Sequence, residues 1–218
     1  MKRILVWLSV FAVAMAYFEA AIVVYLRELY YSADVLKLFP LKMLSSEHLM
    51  IEIGREICTV VMLICIAMLV TQRFTRRFAA FCFLMGAWDI FYYVWLKTLI
   101  DWPLEWLEWD VLFLIPWAWL GPWICPAVIA FLFIVWGGRV LNSQTEFSFS
   151  RRQATAFLTG GALSLAALLW PAADVLFGSA AVGLTGFVPQ QFDWWLYLPG
   201  LLLMGAGLPW RERRVFRR

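Results

Sequence analysis

The sequence predicts an all-α fold: a polytopic transmembrane helical bundle of about six spans, with the N- and C-termini both cytoplasmic. Composition, the lengths of the apolar runs and the placement of Lys and Arg predict it. Of the 218 residues, 64% are apolar or aromatic and 15% are charged, and the mean hydropathy is +0.78. Soluble domains run at about 45–50% apolar and about 25% charged. A chain of this size cannot hide so much apolar surface from water, so its solvent is lipid. The composition excludes a soluble enzyme, a disordered chain and a disulfide-stapled secreted domain. The lipid bilayer is the first partner. Nucleic acid is excluded as a partner because the Arg-rich segments adjoin apolar spans.

A hydrocarbon core about 30 Å thick needs about 20 apolar residues in a helix. Runs that meet or approach this length are Ile4–Leu26, His48–Val70, Phe78–Ile100, Val111–Trp136, Ala154–Trp170 and Trp194–Leu208. The last two are short and contain or adjoin Pro171 and Pro199. The Gly-rich, half-apolar segment Ala172–Phe192 reads as a loop lying on or dipping into the outer surface. No internal repeat or low-complexity tract is visible. The organisation expected is a four-helix unit over residues 1–137, a basic cytoplasmic loop over 138–153, two further helices over 154–210 and a basic tail over 211–218.

Lys and Arg collect on the cytoplasmic side of membrane proteins. Lys2, Arg3, Arg73, Arg76, Arg77, Arg139, Arg151, Arg152, Arg211, Arg213, Arg214, Arg217 and Arg218 fall on one side of the expected spans. The opposite loops carry Arg27, Lys37 and Lys42 together with Glu28, Asp34, Glu47, Asp101, Glu105, Glu108, Asp110, Asp174 and Asp193. Met1-Lys2-Arg3, an apolar stretch and Ala14-Met15-Ala16 also read as a signal peptide with its cleavage site. The apolar run continues to Leu26, about 23 residues in all, which fits a retained helix better.

Charged groups inside a membrane are costly and usually face protein or water. Glu19, Glu52, Arg55, Glu56 and Asp89 lie within the spans, and Lys97 lies near the end of its own. At 1.5 Å per residue, Glu19 is roughly 10 Å below the outer surface, Glu52 and Glu56 roughly 6 and 12 Å, and Asp89 roughly 16 Å. The cytoplasmic halves hold no charge. Glu52, Arg55, Glu56 and Thr59 share one face of helix 2. Asp89, Tyr92, Tyr93 and Lys97 share a face of helix 3, and Glu19 and Arg27 a face of helix 1. The simplest arrangement points all three stripes at one outer-half cluster, with Asp110 at the outer entrance of helix 4. Acids outnumber bases there, so at least one is expected to be protonated, water-exposed or bound to a cation. A purely structural ion-pair network is the competing expectation.

Pro116, Pro122 and Pro126 interrupt the expected fourth helix, and each leaves an upstream carbonyl unpaired. The run Trp102, Trp106, Trp109, Trp117, Trp119 and Trp123 suits an outer interfacial belt continued into a cavity wall. Cys58, Cys65, Cys82 and Cys125 all lie in apolar runs and read as small buried hydrophobes. The single histidine, His48, excludes a bis-histidine haem or a two-histidine zinc site within the chain. His48, Met43 and Met50 hint at copper, but methionine is common in apolar spans, so no metal is assigned. Cofactors stay unknown.

The stretches YFEAAIVVYLRELYY at 17–31, EIGREICTVVML at 52–63, WDIFYYVWLK at 88–97 and WDVLFLIPWAWLGPWICP at 109–126 resemble segments of an uncharacterised family of small bacterial multi-pass integral membrane proteins. The resemblance covers about the first 130 residues. It implies a bacterial cytoplasmic membrane and carries no activity, substrate or catalytic assignment.

The function expected is a membrane protein with an outer-leaflet-facing carboxylate/Arg site. A non-catalytic subunit or scaffold, docking membrane-complex partners or binding a small polar or cationic ligand, stands first. A proton- or ion-coupled transporter is one alternative, and an outer-leaflet enzyme acting on a lipid or quinone head group is the other. Familiar catalytic signatures such as H-E-x-x-H, G-x-S-x-G and the P-loop are absent. The expected ligand-binding or proton-handling residues are Glu19, Glu52, Arg55, Glu56 and Asp89, followed by Tyr92, Tyr93, Lys97 and Asp110.

Overall fold

The structure, a computed structural model, describes residues 2–177 and 184–211. Its helices are α1 (Lys2–Tyr30), α2 (Ser46–Val70), α3 (Phe74–Ile100), α4 (Ile124–Asn142), α5 (Arg151–Phe177) and α6 (Trp194–Gly207), and a two-stranded hairpin of β1 (Trp109–Phe113) and β2 (Trp119–Pro122) precedes α4. The helices α1 to α5 are long and apolar enough to cross a membrane, so the chain is a multi-pass membrane protein. The fourteen residues of α6 rise only about 21 Å, less than a hydrocarbon core.

Local chemistry sets the helix ends. Ser45 caps α2 by accepting the His48 N–H at 3.2 Å. Ser150 and Gln153 form a reciprocal capping box at the start of α5, the Ser150 hydroxyl accepting the Gln153 N–H and the Gln153 amide accepting the Ser150 N–H. Asp101 ends α3 in the left-handed region at φ 58°, a conformation Asp tolerates better than most residues. Pro171 lies inside α5, and the helix continues through it to Phe177. The segment expected as a loop from Ala172 is therefore helical up to Phe177. Residues 178–183 lie outside the described part, and Leu184–Phe192 is irregular.

The expected fourth span needs correction. Val111 and Pro116 are not helical: β1 and β2 pair antiparallel, with Asp110 opposite Gly121 and an irregularity between Val111 and Phe113. Three prolines within eleven residues remove too many backbone donors for a helix, while a hairpin leaves proline at its turn and strand end. Only Pro126 enters α4, in its first turn, where a missing N–H costs nothing.

The central helix is α3, which packs along α1 on one side and α4 on the other; α2 leans on α3 more lightly, and α5 and α6 form a close antiparallel pair joined to the rest through β2. Along their backbones α1 and α2 hardly meet. The main core fills the half of the bundle that holds the start of α1 and the end of α2, with Leu8, Ala12, Leu63, Ala80, Leu84 and Trp136 all buried. At that end Arg73 pairs with Glu146, Arg76 donates to the Ser143 carbonyl at 2.9 Å, and the Trp136 indole donates to the Pro209 carbonyl. The acidic loops lie at the other end. There residue 41 exchanges backbone hydrogen bonds with Gly186 and Phe187, and the Trp123 N–H reaches the Glu108 carbonyl.

Small residues let α5 and α6 approach backbone to backbone. A Cβ on Gly200 would sit 2.6 Å from Ser164 Oγ and 2.7 Å from Ser164 N, whereas one on Gly161 would meet nothing within 4 Å. Gly200→Leu is therefore expected to destabilise the folded protein by about 1–3 kcal/mol. Gly161→Leu should leave it unchanged. The midpoint of thermal unfolding in a mild detergent measures both.

Candidate functional site

The gap between α1 and α2 is crossed by side chains. Arg55 on α2 donates from Nε and Nη2 to a single oxygen of Glu52, one turn before it, at 2.9 and 2.6 Å, and pairs across the gap with Glu19 of α1. The Thr59 hydroxyl donates to the same Glu19 carboxylate at 3.3 Å. These residues fall at the helical spacing that puts them on one face. Glu19, Glu52, Glu56 and Thr59 are all buried. Nearer the acidic end, the Tyr30 hydroxyl meets His48 Nδ1 at 2.5 Å and accepts the Ser45 N–H, and the Lys42 ammonium donates to the Tyr30 carbonyl at 2.8 Å. The engagement of His48 is with tyrosine. Among the described residues no group of His, Cys, Asp or Glu is arranged to hold a metal.

The hairpin closes the third side. Glu56 accepts the backbone N–H of Leu114 at 2.9 Å, at the point where the strand ladder ends. An unpaired N–H at membrane depth would be expensive, and this carboxylate satisfies it. Asp110 on β1 pairs with Arg27 of α1 at 3.3 Å, both nearly fully buried, and Tyr93 of α3 donates to its other oxygen at 3.5 Å. Trp102, fully buried, lies beneath the guanidinium, 4.1 Å from its carbon to the ring centre. Planar Arg stacked on indole is a favourable cation–π contact. Arg27 Nε and Nη1 find no acceptor among the described residues.

Enclosed by α1, α2, the hairpin and the end of α5 is a cavity of about 330 Å³. Its polar floor is Arg27, Glu52, Arg55, Glu56, Tyr92 and Asp110, and its walls include Leu26, Leu44, Ile53, Leu114, Leu176 and Leu184. This is at the lower end of the size range of ligand pockets, and the mix of apolar walls with a few convergent polar groups is typical of them. Glu19 anchors Arg55 from behind the floor. Glu56 uses one oxygen on the Leu114 N–H.

Of the residues expected at the site, Glu52, Arg55, Glu56, Tyr92 and Asp110 line the cavity and Glu19 supports it. Three do not. Asp89 is absent from the lining; its Oδ2 is buried without a hydrogen-bond partner among the described residues. Tyr93 packs against Trp102 and Trp123 and reaches only Asp110. Lys97 is half exposed at the end of α3, bonded to Asp101 and to the Pro103 carbonyl, because a long cation near a helix end reaches out to the interface. Arg27, Tyr30, Tyr31 and Lys42 are cavity residues outside the expected set. Arg27 shares a face of α1 with Glu19, and that spacing was its available signal. The cysteines also divide: Cys82 and Cys125 are buried, but Cys58 and Cys65 are exposed on the outward face of α2. The tryptophan belt is corrected at Trp102, which is interior, while Trp106 is exposed.

Asp110 lies outside the spanning helices. Burial pushes its carboxyl up to about 6, with Arg27, the Val111 backbone N–H and the Tyr93 hydroxyl pulling the other way. Between pH 4 and 6, roughly, the folded state then keeps a proton that the unfolded chain has lost. Protonation there favours the folded state, so stability due to this group rises as the pH falls through about 6 towards 4. Asp110→Asn should remove that rise. Unfolding midpoints of the two proteins, compared from pH 4 to pH 8, measure the difference.

No protein-family model, curated protein or solved structure matches this chain.

Proposed function

We propose that this chain is a non-catalytic binding subunit of a bacterial cytoplasmic membrane, taking a ligand with a polar head and an apolar tail into the cavity between α1 and α2. In this reading the chain crosses the membrane six times, with α6 as a short final span and both termini in the cytoplasm. The cavity then opens towards the outer leaflet. The observation that carries the reading is the cavity's composition: charged and phenolic groups at the floor, and leucine and isoleucine walls above it. A fully polar solute would leave those walls wet, and a pure hydrocarbon would strip water from Glu52, Glu56 and Tyr92 without replacing it.

The transporter alternative is disfavoured by the opposite half of the bundle. A core that includes Leu8, Ala12, Leu63, Ala80, Leu84 and Trp136 fills it. Proton and ion relays across membranes run through chains of ionisable side chains or water.

Two measurements test the proposal. Protein purified from its native membrane should carry a bound amphiphile by native mass spectrometry. Leu44→Trp, which fills the cavity, should lose that mass while the folded yield stays unchanged. Purification without any adduct in several mild detergents would remove the reading. Reconstituted in liposomes, the protein should move neither protons nor sodium ions down an imposed gradient; a flux abolished by Glu56→Gln would favour the transporter instead. The topology is checked with single cysteines introduced in the Cys58→Ser/Cys65→Ser background. An impermeant maleimide should label position 37 from outside intact cells and should leave position 145 unlabelled until the membrane is opened.

A further inference from the structure

Resting on the binding reading above, the charge balance of the cavity floor narrows the head group. Glu52, Glu56 and Asp110 line the cavity with Arg27, Arg55 and Lys42, and Glu19 stands behind Arg55, so four carboxylates meet three cations; the Lys42 ammonium is engaged by the Tyr30 carbonyl and the Tyr31 ring. Arg55 is shared by Glu19 and Glu52, and Arg27 is committed to Asp110. Glu56 is left with a single backbone N–H on one of its oxygens. Four acids against three committed cations leave room for a proton or a cation beside Glu56.

Two further features separate an organic cation from a bare proton. Tyr92 lines the cavity with the carboxylates, and an aromatic ring beside a carboxylate favours an ammonium group. Arg27, almost completely buried on the cavity wall, has Nε and Nη1 without an acceptor. Buried donors of that kind are normally satisfied by water or by a ligand oxygen. We infer that the cavity between α1 and α2 binds an amphiphilic amine, its ammonium set against Glu56 and Glu52 beside Tyr92, with a hydroxyl or carbonyl oxygen of the head turned to Arg27 and its hydrocarbon tail along the leucine walls. The exposed amine end of a membrane lipid and a free long-chain amine share this chemistry. The cavity volume, about 330 Å³, admits the head and only part of a long tail.

The test uses the full chain in lipid nanodiscs made of zwitterionic phosphatidylcholine. The probes are 2-amino-1-dodecanol, dodecylamine, 1-dodecanol and dodecanoate, at pH 7.5, with binding followed by fluorescence of the tryptophans, since Trp117 lines the cavity. Empty nanodiscs give the partition background for each probe. The amino alcohol is expected to bind most tightly and dodecylamine next, each at least about tenfold tighter than dodecanol, as a charge-assisted hydrogen bond predicts. Glu56→Gln should abolish the preference for amine over alcohol. If dodecanol or dodecanoate binds as tightly as the amines, or if Glu56→Gln leaves the preference intact, the amine assignment is wrong and the cavity keeps its amphiphile role. If no probe binds above the empty-nanodisc background, the binding reading itself fails. A phosphatidylethanolamine nanodisc that competes with the amino alcohol identifies a lipid head as the source; failure to compete identifies a free amine.

Discussion

A buried guanidinium cannot shed its charge, and lipid cannot solvate it. That constraint, met at Arg27 and at the largely buried Arg55, shapes the half of the bundle that holds the acidic loops. Arg55 points into the gap between α1 and α2, and it holds Glu52 on its own helix and Glu19 on the next. Removing one partner from such a buried pair typically costs about 3–5 kcal/mol, because the charge left behind has nowhere to go. The helices are thus linked at side-chain length. Close backbone packing of the kind seen between α5 and α6, where Gly200 lies against Ser164, is absent between α1 and α2. A cavity is the geometric result of linking two helices by long polar side chains where small residues would have let them touch.

The hairpin follows from the same constraint. Non-helical backbone at membrane depth is tolerated only where protein or water satisfies it. Strand pairing satisfies most of Trp109–Pro122, and Glu56 takes the Leu114 N–H just beyond the ladder. Asp110 returns the favour in the opposite direction, giving Arg27 a counter-charge from the hairpin. Charged side chains on α1 and α2 therefore serve twice: they fix a non-helical element in place, and the element they fix completes the wall of the cavity. Glu108 orders the preceding loop in a related way, accepting the Trp102 indole N–H at 2.7 Å and the Leu104 N–H at 2.6 Å.

The parts of this arrangement legible in the sequence are those governed by helical period and by the hydrocarbon length. Glu52, Glu56 and Thr59 share a buried face as their spacing implies, and the positions of α1, α2 and α3 follow from apolar runs and their flanking charges. Periodicity has nothing to say about Trp109–Pro122, where apolar content reads as a span although the prolines forbid one. It is equally silent on rotation about a helix axis when two faces are both polar. Asp89 and Tyr92 are one turn apart on α3, yet only Tyr92 reaches the cavity. The difference of about 60° between i and i+3 on an α-helix is enough to separate a wall from its far side. Lys97 lies outside the cavity for another reason: its long stem lets the charge leave the depth of its own Cα.

The asymmetry between the two halves of the bundle bears most directly on mechanism. In the half with the basic loops, α1 and α3 meet through Ala12, Ala16, Ala80 and Ala87, and the bundle is closed by large side chains from α2, α3 and α4. Such an interior is packed about as densely as an organic crystal. In the half with the acidic loops, Arg55 bridges the gap between α1 and α2. A filled half and a half that holds a cavity fit the proposed binding of a ligand from a single side of the membrane better than the exposure of one site to both.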